Sequence, residues 1–236
     1  MRVRNRLILC ALLGASTWAL CAPLAAPVRQ LAIFLPPVYQ AGLSFGAPPT
    51  VAVDPAWDAA LASTDPAVIR KVRDAIAAHP ELVKPETMMV LAIRLYDVGL
   101  RDDGVFWYYV GRDRFLTMEA VLDMRSIRLA RQAETMASFV STLAEPFDGY
   151  AFCDVDRHQQ AEDRAIAWVA AHPYKVLGYA DLPAQSEDRN AALADAVKKL
   201  REISARGAAL SAQPEMRAQL AAARAESQAD TRYCWK

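Results

Sequence analysis

"LAIRLYDVGLRDDGVFWYYVGRDRF", residues 91–115, decides the fold class. Phe106, Trp107, Tyr108 and Tyr109 stand together between Gly104 and Gly111. Taken alone, "GVFWYYVG" reads as a buried strand, six apolar and β-favouring residues after a turn-like "RDD". A short apolar run cannot be assigned from its own periodicity, so its flanks decide. The segment before it, "KPETMMVLAIRLYDVG", has Pro85 where a helix starts and Gly99 where one ends. No partner strand lies nearby. The run is therefore expected to be a central helix, apolar on all sides and covered on all sides.

Small residues at Ala92, Gly99, Gly104 and Gly111, with Tyr108 one turn after Gly104, resemble the spacing of a tetratricopeptide-type helical hairpin. The resemblance covers about residues 86–116. It implies Ala92 against Gly104 as the close contact, Gly99 at the turn, and Leu95 with Tyr108 in the next layer. Leu116 stands where that family closes its hairpin with proline, and Gly104 where it has alanine. No second copy follows, so the implied unit is one hairpin and not an array. On helix preference alone, alanine is expected to be accepted at position 104.

Outward from this hairpin the chain continues as helices. "STDPAVIRKVRDAIAAHP" (63–80) and "DVDRHQQAEDRAIAWVAAHP" (154–173) carry polar caps and end on the same Ala-Ala-His-Pro. "TMEAVLDMRSIRLARQAETMASFVSTLAEP" (117–146) reads as one long amphipathic helix ended by Pro146. "SEDRNAALADAVKKLREISARG" (186–207) puts Leu193, Val197, Leu200 and Ile203 on one stripe and is expected to stop at Gly207, with a last helix after Pro214. The class is all-α: an antiparallel helical-hairpin bundle or a short tetratricopeptide-like superhelix over residues 58–236. Residues 27–57 hold six prolines and no helical period, and are expected to be an extended proline-rich arm laid over the helices.

The N-terminus carries targeting information. Arg2, Arg4 and Arg6 precede an apolar stretch, Leu7 to Leu20, that ends among small residues, the pattern of a secretory signal over residues 1–26. The alternative is an uncleaved anchor in the inner membrane, helped by the apolar "LAIFLPPVY" at 31–39. Lipid attachment at Cys21 meets a bulky Leu20. With the three arginines removed, 24 basic residues face 27 acidic ones and no basic block remains to follow a phosphate backbone, which argues against nucleic acid as a partner. Of the four cysteines, Cys10 and Cys21 belong to the signal, leaving Cys153 and Cys234 to form one disulfide in an oxidising compartment.

Candidate chemistry is sparse. His79 and His172 occupy matching helix ends, where a cation and a following proline suit the C-terminus. Asp154, Asp156 and His158 alternate, and in an extended chain would share one face as an oxygen and imidazole metal corner. In a helix they diverge, with Asp154 as cap and Asp156 complementing the dipole. No catalytic set, metal site or cofactor motif is assigned. The charges Arg101, Asp102, Asp103, Arg112 and Arg114 flank the hairpin and are expected to form an exposed rim that meets a protein partner. The expectation is an exported, non-enzymatic, periplasmic protein that binds another protein, as an inhibitor or immunity-type factor does. The rival is an exported hydrolase, metal-dependent, built on Asp154, Asp156 and His158.

Overall fold

The computed structural model of the chain describes residues 26–235, and the expected signal sequence lies, but for Ala26, outside them. Helices α3 (Pro85–Asp97) and α4 (Arg101–Val121) form its centre. Every residue of α3 from Pro85 to Tyr96 is buried, so this helix has no solvent face. It ends by a hydrogen-bonded cap: Leu100 N–H donates to Leu95 O (2.8 Å) and Gly99 N–H to Tyr96 O (3.0 Å). Gly99 takes φ +85°, the left-handed conformation this Schellman cap demands. The aromatic run is helical, as its flanks imply.

Two glycines let α4 lie close on α3. A Cβ at Gly104 would come 3.0 Å from Ala92 O and 3.2 Å from Tyr96 N, and one at Gly111 2.8 Å from Met89 Sδ. Contacts move down α3 as they move up α4, so the pair is antiparallel. Tyr108 stacks on Phe147 at 4.8 Å, and Trp107 meets Trp168 edge to face at 5.3 Å. These two rings seat α5 (Ala130–Ala151) and α6 (Val155–Ala171) against α4.

Before the hairpin come α1 (Asp58–Leu61) and α2 (Pro66–Ala78); after it, α7 (Arg189–Ser211), α8 (Pro214–Glu226) and α9 (Ala229–Tyr233). Asp65 caps α2 by accepting from Ala67 N–H, and Asp154 caps α6 by accepting from Asp156 and Arg157 N–H. His79 and His172 are the C-caps of those helices.

Three boundaries differ from the sequence expectation. The segment 117–146 is not one helix. Gln185, more than sixty residues on, donates from its side chain to Glu119 O (2.7 Å) and Leu122 O (3.3 Å), which satisfies the last carbonyls of α4 and lets the chain turn. Pro146 lies inside α5, where a lost backbone bond is tolerated because Leu143 and Phe147 on either side are fully buried and hold the helix on the core. Gly207 does not stop α7, which runs on to Ser211, just before Pro214 opens α8.

The arm is laid over the helices but is not simply extended. Strands β1 (Phe34–Leu35), β2 (Tyr39–Gln40) and β3 (Thr50–Val51) make an antiparallel meander, with Leu35 opposite Tyr39 and Tyr39 opposite Val51. Two-residue strands leave no alternation to read. The arm is anchored by Leu31 N–H donating to Asp97 Oδ1 (2.7 Å) and Tyr96 OH donating to Val28 O (3.1 Å). Arg94 holds Asp97 at 2.6 Å and serves Leu61 O and Ser63 O, tying α3 to the chain that follows the arm.

Candidate functional site

The charged residues around the hairpin do not form one rim. Asp102 and Asp103 keep solvent exposure; Asp102 accepts from Tyr150 OH (2.8 Å) and pairs with Arg157 (3.3 Å), and Asp103 pairs with Arg73. Arg101 instead reaches along the surface, donating to Tyr233 O (3.0 Å) and Trp235 O (2.7 Å) while its guanidinium covers the rings of Tyr150 and Trp235. Arg112 is turned inward onto Asp113 (2.9 Å) and Glu162 (3.1 Å). Arg114 is wholly buried, so it lies in the core and not on an exposed rim. It donates to Pro80 O (2.7 Å), Val83 O (3.0 Å) and His172 O (2.9 Å), so it fastens α6 to the loop before α3. Burial lowers its pKa to about 10. The reason is geometric: α4 continues to Val121, which puts positions 112–114 in mid-helix and not at the hairpin's end.

The metal corner is not assembled either. All three residues lie at the start of α6: Asp154 is spent on capping, Asp156 points to Arg217 (3.3 Å), and His158 stacks on Phe152 at 4.1 Å. Among the described residues no group of three or more His, Cys, Asp or Glu side chains converges on a point that could hold a metal ion. His158 does border a recess of about 220 Å³ with Asp102, Tyr150, Arg157 and Arg164. Behind it lies a buried ionisable cluster that the sequence did not reveal. Tyr109 OH donates to Asp148 (3.1 Å), and Arg112 bridges Asp113 and Glu162. Burial pushes the Asp113 carboxyl up to about 6, raises Asp148, and lowers the His158 imidazole. Asp113 Oδ2 has no hydrogen-bond partner. The cluster's carboxylates bond to their own neighbours, which suits holding α4, α5 and α6 together.

A larger recess lies elsewhere, a groove of about 730 Å³ between the arm, α5 and α9. Thr142, Glu145 and Pro146 form its α5 wall, Arg232 and Tyr233 its α9 wall, and residues 26–33 and 41–45 its arm side. Leu43 and Phe45 stand on its edge, 105% and 77% exposed. The α9 wall is positioned by packing and by covalent linkage. A Cβ at Gly149 would lie 2.5 Å from the Tyr233 ring, so only glycine leaves that ring its seat. Cys153 and Cys234 are joined, with 5.5 Å between their Cα atoms. Arg232 pairs with Glu145 (2.6 Å), Tyr233 OH donates to the same carboxylate (2.9 Å), and Val28 N–H donates to Arg232 O (2.8 Å). The sequence reading missed this groove. Its available signals were two large apolar residues, Leu43 and Phe45, in a glycine- and proline-rich turn, and the aromatics flanking Cys234.

Comparison with known proteins identifies a relative. Over 209 residues, 89% of this chain and 80% of the other, the chain is 31% identical to an uncharacterized protein of Haemophilus influenzae (strain ATCC 51907 / DSM 11121 / KW20 / Rd). No protein-family profile and no solved structure matches it.

Proposed function

The chain belongs to the family of that Haemophilus influenzae protein, and we propose that it is an exported, non-enzymatic protein of the periplasm that binds another protein in the arm groove. The observation carrying this reading is the exposure of Leu43 and Phe45 on the edge of the groove. Exposed apolar side chains beside a recess favour association, because covering them releases water. Of the groove's charges, Arg232 is paired with Glu145, and the exposed Arg29 lies over the Trp235 ring at 5.0 Å. The side chains left uncovered on the edge are apolar and Glu145 is already paired, so the proposed occupant is an apolar, extended segment of an exported protein. Export is supported by Arg2, Arg4 and Arg6 ahead of the apolar stretch, and by a disulfide, which persists in oxidising compartments. An inhibitor or immunity-type factor is the form of this function in which the partner is an exported toxin.

Site-specific photo-crosslinking tests the reading. A photoreactive residue at position 43 or 45 in cells should give one discrete adduct with the same exported protein. Ile127, 97% exposed and away from the groove, serves as the control. The adduct should disappear from the position-43 probe when Phe45→Asp puts an unmatched charge on the edge. Equal yields from position 127, or adducts with lipid alone, would overturn the proposal.

A further inference from the structure

Helix α8 has one buried residue, Arg224, and the short α9 that follows is held chiefly through Ala229 and Tyr233. A terminal unit with so little buried apolar surface depends on its cross-links. We propose that the Cys153–Cys234 disulfide is a redox latch on the groove: when it is reduced, α9 leaves α5, taking with it the Arg232 and Tyr233 wall and the bond that fixes Val28, while the helical core stays folded. The inference rests on the groove being the partner site, and it makes that site complete only in an oxidising compartment.

Two features separate a latch from an inert staple. First, the wall is mechanically continuous with the cysteine: Tyr233 precedes Cys234 and sits in the Gly149 seat, and Arg232 O accepts from Val28 N–H. Second, the Arg224 guanidinium is held against both sulfurs, with Nη2 3.0 Å from Cys234 Sγ and 3.6 Å from Cys153 Sγ. Asp230, largely exposed, pairs with the same guanidinium at 2.8 Å and offsets part of its charge. Reduction by a protein dithiol begins when its thiolate attacks one sulfur, forming a mixed disulfide and expelling the other sulfur as a thiolate. The second thiol of the reductant then closes the reductant's own disulfide and releases the remaining cysteine. Two electrons pass to the cystine, and the protons of the dithiol are taken up by the two cysteines. A cation beside the expelled thiolate stabilises it and speeds this exchange. Both cysteines are half-buried, so a reductant can reach them.

Hydrogen–deuterium exchange on the full chain, oxidised and then reduced with dithiothreitol and alkylated, reads the latch without any partner. Exchange at Val28 and across residues 229–235 should rise about tenfold or more on reduction, while α3 and α4, whose amides open only with the whole core, stay protected over the same labelling time. The Cys153→Ser/Cys234→Ser variant, never alkylated, should match the reduced protein. Arg224→Gln should slow reduction of the oxidised protein by dithiothreitol several-fold. Unchanged protection at Val28 and 229–235 would overturn the latch, and so would loss of protection in α3 and α4, which would mark a general staple. Because no partner enters, failure here leaves the Leu43 and Phe45 crosslinks standing, and failure of those crosslinks leaves the latch standing.

Discussion

Gly104→Ala isolates the close approach at the centre of the molecule. In a helix, alanine is preferred to glycine by about 1 kcal/mol. Against this, the added Cβ would lie 3.0 Å from Ala92 O and 3.2 Å from Tyr96 N, both main-chain atoms of α3. Neither can yield as a flexible side chain would, so α3 and α4 must separate by some tenths of an ångström. Overpacking of this kind costs about 1–3 kcal/mol. Gly104→Ala is therefore expected to be neutral to destabilising by about 2 kcal/mol, against the acceptance that helix preference alone suggests. The matched control is Gly207→Ala in α7, where a Cβ meets nothing within 4 Å and the preference acts alone. A difference of about 2 kcal/mol between the two variants would separate their Tm values by about 4–8 °C. Urea unfolding of both, with unchanged m, gives the free energies directly. Equal gains in stability from the two substitutions would refute the close contact, as would a harmless Gly104→Leu.

Cys153→Ser and Cys234→Ser should each lose about 4–5 kcal/mol, since the bond closes a loop of 81 residues, and the double variant should lose no more than either. Thiol titration of unfolded, unreduced protein should find neither Cys153 nor Cys234 free. Arg114→Met should cost about 3–5 kcal/mol in urea unfolding, because three buried carbonyls lose their donor; Arg114→Lys should recover only part, a point charge being unable to reach all three. A loss below about 1 kcal/mol would refute that role. The pH dependence of Asp113 has a definite sign. Its folded pKa, about 6, lies above the ordinary carboxylate value of 3.8, so its contribution is complete at the lower value and is lost as the pH rises through the higher one. Between pH 4 and 7 Asp113→Asn should therefore gain about 2–3 kcal/mol relative to the parent protein, measured by urea unfolding at each pH. A pH-independent difference would show that the carboxyl titrates normally.

What the sequence determined by itself is local chemistry and one elimination. Pro66 and Pro85 open helices because the first turn needs no donor there, Asp65 and Asp154 cap because their side chains reach free N–H groups, and Gly99 alone tolerates the turn between α3 and α4. The spacing of Ala92, Gly104 and Gly111 expressed a close helix pair, and two cysteines left over expressed a disulfide. Only the tertiary structure decided where α4 ends, because the side chain that closes it, Gln185, comes from the far side of the chain. It alone turned Arg114 from a surface charge into a buried clamp, since the type of a side chain does not say which carbonyls will surround it. It kept Pro146 inside α5, where buried Leu143 and Phe147 outweigh one lost hydrogen bond. The arm groove, with one wall at residues 26–33 and 41–45 and another at 232–233, exists only once these two distant segments pack on α5, and no pattern confined to a single stretch of sequence can encode such a meeting.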